Sequence, residues 1–374
     1  MFCLFGVAAP KRHQGVVGYS FDDFQVICCR MIQHSQRPAG SERCANGSNE
    51  YCPMSTVFIH TNPKQRLGAL VARYALQRHS RAPDRFDVRI ISTEDFDFLQ
   101  AYEGRRYRRE GKAAIWRNDD LQSFTPLRFA VPALAGHAGR AVLTDPDVFA
   151  VGDINELLER DMRGAAILAR QMDARSRRPL HYASSVMLLD CARLRHWDVE
   201  ADFADLFAFR RDYREWMWLL LEAPGTVGPL ESVWNDFDRL GPDTRLLHNT
   251  HRRTQPWKTG LPADFTPRGT TVKSRAGRVW RGLTSTITGK SGAGTYRRHP
   301  DPAQERFFFA LLGECLEFGV IAPELVMAEI ERGHIRTDAL ALARAHGAAL
   351  PPPTSEAGTL CYGLGGSCSN IRGA

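Results

Sequence analysis

The sequence predicts an α/β protein with a largely parallel sheet, and three observations predict it. Short β-branched and aromatic runs alternate with segments of helical period. Those runs close in polar residues, as strands do where a loop begins. No internal repeat of roughly 20–50 residues competes with the alternation, so a solenoid or propeller is excluded. At 374 residues the chain is long enough for one large core or two modest ones.

Residues 1–54 show no sustained apolar period and hold five of the nine cysteines, so a disordered or spurious extension is expected there, with the folded body beginning near Met54. The first strand is "STVFIHT". In "PKQRLGALVARYALQRHS", Leu67, Leu70, Val71, Tyr74 and Ala75 share one face of a helix. "FDVRIIST" is a second strand and "DFDFLQAYEG" a short helix or loop. "LQSFTPLRFAVPALAG" reads as a helix starting near Ser123 and Thr125, with Pro126 tolerated in its first turn. "AVLTD", "GAAILAR" and "SSVMLLD" are three further strands, and "DYREWMWLLLEA" a further helix. Residues 263–300 turn to Thr, Gly, Ser and Arg and read as a connecting loop after a domain spanning 55–262. Amphipathic helices fill 301–349, and the Pro-, Gly- and Ser-rich 350–374 read as a flexible tail.

Composition narrows the class. With 43% hydrophobic and 24% charged residues, the chain is not a wholly disordered one. The formal charge of +7 comes mostly from arginine, a planar donor suited to phosphate and carboxylate. The arginines are spread along the chain, and no binding motif interleaves aromatics with a basic stripe, so no nucleic-acid partner is expected. The central body holds only Cys191 and Cys315, and no CxxC pair suggests zinc, which fits a reducing cytoplasm. "MFCLFGVAAP" lacks a preceding charged segment and is too short to cross a membrane. No transmembrane segment is expected, and the placement read from the sequence is cytoplasmic, at most peripheral to the inner face of a membrane.

The stretch "RAVLTDPDVFAVGDINELL" carries the sharpest chemical signal. Three Asp-x-Asp triplets occur, at Asp95/Asp97, Asp145/Asp147 and Asp236/Asp238, so the triplet alone means little. Position separates them. In open α/β sheets ligands bind beyond the carboxyl ends of strands, and "AVLT" delivers Asp145 and Asp147 to such an end. Two carboxylates there are hard oxygen donors suited to Mn²⁺ or Mg²⁺. Read from these residues alone, a plain Asp-Pro turn ending a strand competes with that assignment.

The order of motifs over residues 55–260 resembles the family 8 glycosyltransferases. "VFIHTNPKQ" stands where that family has its nucleotide-facing first strand and loop. Thr125, Arg128 and Pro132 match its Thr/Ser-x-x-Arg…Pro helix. "AVLTDPDVFAVGDINELL" tracks its Asp-x-Asp segment, down to Asp153, Ile154, Glu156 and Leu157. "YASSVMLLDCARLRHW" and "LLHNTHRRTQPWKTG" follow in the family's order, the second a histidine loop ending in Pro-Trp.

That resemblance implies a GT-A fold: a Rossmann-type mixed sheet flanked by helices, here with a C-terminal helical extension. It implies a hexosyltransferase moving sugar from a nucleotide-sugar, usually a UDP-sugar, to a carbohydrate, lipid-linked or protein acceptor, with retention of anomeric configuration. Mn²⁺ (or Mg²⁺) would be held by Asp145, Asp147 and His248, with His251 in reserve. Thr61 and Asn62 would face the nucleotide. Arg128, with Arg252 or Lys258, would meet the diphosphate, because Gln255 stands where the family carries a lysine. Glu231 is the candidate beside the anomeric carbon, and Asn235 or Asp236 the alternatives for sugar contact. Neutralising either metal-site aspartate is expected to cost little stability, since two crowded carboxylates repel. A sugar nucleotidyltransferase, or a non-catalytic basic binding protein on the same fold, is the competing reading. The first would want a glycine-rich phosphate loop that "HTNPKQRLG" represents poorly.

Overall fold

The structure, a computed structural model, describes residues 55–174, 179–264, 294–347 and 350. The expectations for 1–54, for most of 263–300 and for nearly all of 350–374 lie outside the described residues.

A mixed sheet organises the body. Its strands are β1 (Ser55–Thr61), β2 (Phe86–Ser92), β5 (Arg140–Thr144), β7 (Ile167–Met172), β8 (His181–Asp190) and β9 (Val227–Leu230). They lie in the order β2-β1-β5-β8-β7-β9. β1 pairs in parallel with both β2 and β5, and β7 with β9, while β8 runs antiparallel to its two neighbours. The sheet is therefore largely parallel, with β8 reversed. Only residues 173–180 join β7 to β8. A link that short permits a hairpin and excludes the longer crossover that a parallel pair needs.

The sheet is covered on both faces, and the strand period of two shows it. Val57 and Ile59 of β1, Val142 of β5, and Val186 and Leu188 of β8 enter one apolar cluster. Their neighbours Phe58, Ala141, Leu143, Met187 and Leu189 enter the other. The first cluster is closed by helix Arg66–Arg78 and by the C-terminal helix Pro302–Glu317, which contributes Phe308, Phe309, Leu311 and Leu312. A buried ion pair ties these two helices together. Arg78 donates to both oxygens of Glu314, at 2.5 and 2.8 Å, and the Tyr74 hydroxyl adds a bond of 2.9 Å. Two further helices, Pro323–Glu331 and Ala339–His346, complete this end.

Two expected helices are shorter than their sequence pattern. Residues 121–136 form a 3₁₀ turn, Thr125–Ala130, and one α-turn, Val131–Leu134. Pro132 has no N–H to close an i→i−4 bond onto the Arg128 carbonyl, so the α-helix starts only after the 3₁₀ turn. The second helix covers Tyr213–Met217 and stops at Trp218, because Leu219 takes a left-handed φ of 57°. "LLL" thus leaves the helix, with Leu220 and Leu221 exposed.

Smaller sheets complete the fold. β3 (Arg106–Arg109) and β4 (Lys112–Ile115) form a hairpin. β6 (Val148–Ala150), β10 (Asp236–Phe237) and β11 (Leu246–His248) form a three-stranded sheet in the order β10-β11-β6. These strands are too short for a period to be visible in sequence. Among the described residues no helix is long and apolar enough to cross a membrane. Cys191 and Cys315 are free and buried.

Candidate active site

Asp145, Pro146 and Asp147 occupy the turn between β5 and β6, at the carboxyl end of a central strand. β6 then pairs antiparallel with β11 in a register that sets His248 opposite Val148. This register carries a histidine a hundred residues downstream to the side of Asp147, and the Asn249 N–H bonds the Asp147 carbonyl at 3.0 Å. One ligand atom from each of Asp145, Asp147 and His248 lies within 4.8 Å of the other two. All three residues are among the groups buried at this site or at its edge.

The histidine is aimed. Its Nδ1 lies 2.7 Å from Asn235 Oδ1, an acceptor, so Nδ1 carries the proton and Nε2 faces Asp147 Oδ1 at 3.3 Å. Asn235 is itself fixed by donating to Ser185 Oγ at 3.0 Å. Burial disfavours a charged ring here, but Asp147, with Asp145 and Asp238 behind it, outweighs that and raises the His248 pKa.

The two aspartates have different surroundings. Asp145 receives Arg128 Nη2 at 2.7 Å on both oxygens and His60 Nε2 at 2.6 Å on Oδ1. Burial alone would push its pKa up, but Arg128 and His60, with His248 farther off, bring it down to about 2. Burial lowers the His60 pKa more than Asp145 raises it, so the ring is neutral and donates from Nε2. Asp147 is less committed. Oδ2 accepts from Gln255 at 2.9 Å, while Oδ1 is a buried atom without a hydrogen bond.

These carboxylates open into a cleft of about 660 Å³, walled in part by Gln65, Arg128, Ser184, Trp218, Arg252 and Arg253. Helix Arg66–Arg78 forms one shoulder, and Gly68 lets it approach. A Cβ there would stand 2.7 Å from the Pro146 carbonyl and 3.7 Å from Trp257. Trp257 stacks on Phe308 at 4.6 Å, and Gln304 bonds both Asn249 (2.5 Å) and the Asp238 carbonyl (2.7 Å), so the C-terminal helix braces the histidine loop. Gly68→Ala is expected to overpack this contact at a cost of about 1–3 kcal/mol. Denaturant unfolding reads that loss; an unchanged midpoint would show that the helix can withdraw from the turn freely.

The structure brings some of the sequence candidates together and separates others. Asp145, Asp147, His248, Arg128 and Arg252 meet at the cleft, and His251 lines its rim. Asn235 lies beneath His248 as its orienting partner, fully buried, and does not face the cleft. Asp236 turns to Thr244 Oγ1 at 2.8 Å and Arg239 at 3.3 Å. Glu231 stands apart from the cleft wall: it is exposed just after β9, before the 3₁₀ turn Ser232–Asn235, and is ion-paired with Arg160. Lys258 also stands apart. Its ammonium is fully buried and bonds Asp264 at 2.9 Å, away from the cleft wall. Asn62 donates to the carbonyls of Asp120 (3.1 Å) and Leu121 (3.2 Å) and to Ser123 Oγ (3.0 Å), stapling the loop above the cleft, and Thr61 bonds the Asn62 carbonyl at 3.2 Å. Trp216 packs on Phe129 at 4.5 Å, while Trp218 lines the cleft.

His60 was missed among the site residues. Its signal was present as a polar side chain near the end of an apolar strand, but only the parallel register of β1 on β5, with Ile59 opposite Thr144, brings it beside Asp145. Gln65 was missed as well, and it links Gln255 to the first helix by a bond of 3.2 Å.

No protein-family model and no curated protein sequence matches the chain. Among solved structures it is similar to the glycosyltransferase GlyE of Streptococcus pneumoniae TIGR4, with a TM-score of 0.38 and 15% identity over 71% of this chain and 64% of that one. The chain thus spans just under two thirds of that structure's length. It is similar to mouse xyloside xylosyltransferase 1 at a TM-score of 0.36 and 15% identity, over 53% of this chain and 98% of that one. The galactosyltransferase LgtC, solved with donor and acceptor sugar analogues, aligns at a TM-score of 0.35 and 14% identity, over 61% of this chain and 99% of that one. Likenesses this weak establish neither family nor activity, and a functional assignment rests on the chain's own cleft.

Proposed function

We propose that this chain is a glycosyltransferase that moves a hexose from a nucleotide-sugar, a UDP-sugar in the first instance, with Mn²⁺ or Mg²⁺ held by Asp145, Asp147 and His248. One observation carries the reading: three ligand atoms from two distant parts of the chain converge at a strand's carboxyl end, with the histidine Nε2 aimed by Asn235. Asp147 Oδ1 supports the fit, since this buried oxygen accepts no hydrogen bond and is faced by His248 Nε2 at 3.3 Å, so an ion entering between the two would meet both. Two carboxylates and an imidazole suit a hard or borderline divalent ion, and the Asn235 contact is the kind of outer bond that orients a metal-binding histidine.

Such an ion supplies charge stabilisation for the diphosphate as it departs. The chain's own residues do the rest. Arg128, Arg252 and Arg253 line the same cleft as the carboxylates, so their charges face the space a diphosphate would fill. Arg128 meanwhile holds Asp145 ionised and oriented. Ser184, which accepts from Arg128 at 2.8 Å and donates to the Met217 carbonyl at 2.6 Å, fixes the guanidinium plane. With Lys258 enclosed, Arg252 and Arg253 are the cations left to meet the phosphates from the histidine loop.

Calorimetric titration of UDP with and without Mn²⁺ tests this reading. Metal-dependent binding is expected, and Asn235→Ala is expected to weaken it roughly 10–100-fold by freeing the His248 ring. UDP binding that ignores the metal, or an Asn235→Ala protein that binds like the parent, would remove the metal centre from the account.

A further inference from the structure

Beyond the carboxylates the cleft runs into a second cavity of about 290 Å³, which shares Arg128, Met217, Trp218 and Phe237 with it. Arg109, the last residue of β3, stands in the wall of this second cavity. Its place is fixed by the turn that follows, where Glu110 (φ 56°) and Gly111 (φ 69°) both take left-handed conformations, as a two-residue hairpin requires. Asp212 locks that turn. Its carboxylate accepts the N–H groups of Glu110 at 3.1 Å and Gly111 at 2.8 Å, and it also caps the helix Tyr213–Met217 through the Arg214 N–H at 2.9 Å. The hairpin and the helix are thereby held as one piece, with Arg109 laid over the Tyr213 ring at 4.7 Å.

Among the described residues, the contacts of the guanidinium so positioned are with two tyrosines. It donates to the Tyr107 hydroxyl at 3.3 Å and lies on the face of Tyr213, and neither group carries charge. Among the described residues no carboxylate comes within ion-pair distance of it, and Asp120 acts on it only from farther away. Arg214, by contrast, is paired with Glu110. A half-buried cation that rests on a tyrosine face with no anion in contact keeps its charge available to something negative that enters the cavity. The ring faces here are also not bare. Trp218 is stacked on His181 at 3.9 Å and covered by Arg214 at 4.8 Å, so the cavity, whose wall holds Arg109, Arg128 and Arg252 beside the Arg214–Glu110 pair, offers net positive charge rather than an open aromatic platform for a neutral sugar.

We propose that this cavity receives the acceptor and that Arg109 selects one bearing an acidic group, a sugar carboxylate or phosphate, by a charge-assisted bond. The word acceptor rests on the donor reading above; the anion preference rests on Arg109 alone.

Calorimetry on the full chain with three probes tests it: methyl glucuronide, glucose 6-phosphate and neutral methyl glucoside, each with and without UDP and Mn²⁺. The two charged probes are expected to bind at least tenfold more tightly than the neutral one, and which of them binds better tells carboxylate from phosphate. Arg109→Gln, which keeps the stem over Tyr213, and Arg109→Ala are both expected to abolish that difference, with thermal melting reporting whether each variant is folded. If charged and neutral probes bind alike, or the difference survives in the folded Arg109→Gln protein, the anion site is overturned whatever UDP does. If UDP fails to bind while the charged probes still depend on Arg109, the donor reading fails and the anion site stands.

Discussion

Asp147→Asn is expected to abolish metal-dependent UDP binding while leaving the protein nearly as stable as the parent, and Asp145→Asn to lose both. The reason lies in what each carboxylate touches. Asp147 gives one oxygen to Gln255 and sets the other against His248 Nε2 at 3.3 Å, so an amide in its place removes a proposed metal ligand and the charge facing that ring but keeps an oxygen or nitrogen beside Gln255. Loss of a direct ligand should exceed the roughly 10–100-fold that loss of an outer partner costs. Asp145 is different, because it neutralises a buried Arg128 through both oxygens and also receives His60. Removing its charge leaves a guanidinium uncompensated in the interior, which costs about 3–5 kcal/mol. The expectation that either substitution would be nearly free held for two carboxylates facing each other; the Arg128 pair changes it for one of them. The sign with pH agrees. A folded-state pKa of about 2 lies below the ordinary carboxylate value, so this contribution is complete at neutral pH and is lost as pH falls toward about 2. Urea unfolding at neutral pH with UDP–Mn²⁺ calorimetry on both variants separates the two roles. Equal stability losses would mean that Arg128 does not depend on Asp145; wild-type metal dependence in Asp147→Asn would reduce the motif to a strand-ending turn.

Lys258→Ala should act on folding rather than on nucleotide. Burial pushes the Lys258 ammonium below its ordinary value, and Asp264 offsets this only in part. Asp264 also accepts the Tyr296 hydroxyl at 2.5 Å, so the three side chains form one enclosed polar cluster. Deleting the lysine leaves the partly buried Asp264 with a single hydroxyl donor, at a cost of about 1–3 kcal/mol. Arg253→Ala removes a cation from the cleft wall and is expected to weaken UDP about tenfold with stability unchanged within about 0.5 kcal/mol. A Lys258→Ala protein of parental stability with weakened UDP binding would return the lysine to the phosphates.

Much of the scaffold was legible in the sequence, because burial on both faces of a sheet writes itself as short apolar runs. The β1, β2, β5, β7 and β8 segments and the helix Arg66–Arg78 all carried such a signal. The strands that assemble the site did not. β6, β10 and β11 are two or three residues long, and no periodicity can develop over that length. The ends of helices were misjudged where a proline or one left-handed residue outweighed the apolar pattern, at Pro132 and Leu219.

The same division runs through the site. The sequence by itself placed an aspartate pair at a strand's carboxyl end, and the family resemblance added a histidine in a Pro-Trp loop. Tertiary structure decided which of the remaining candidates reach them. It placed His60 and Arg128 on Asp145, turned Glu231 to the surface, enclosed Lys258 with Asp264, and set Asn235 beneath His248. Chain proximity placed Lys258 three residues from Gln255, yet the turn Pro256–Lys258 points its side chain inward. Pairing between β6 and β11 brought His248 to Asp147 across a hundred residues. Residue type and spacing fix what a side chain can do, whereas which partner it meets depends on strand register and on burial, and both are properties of the assembled chain.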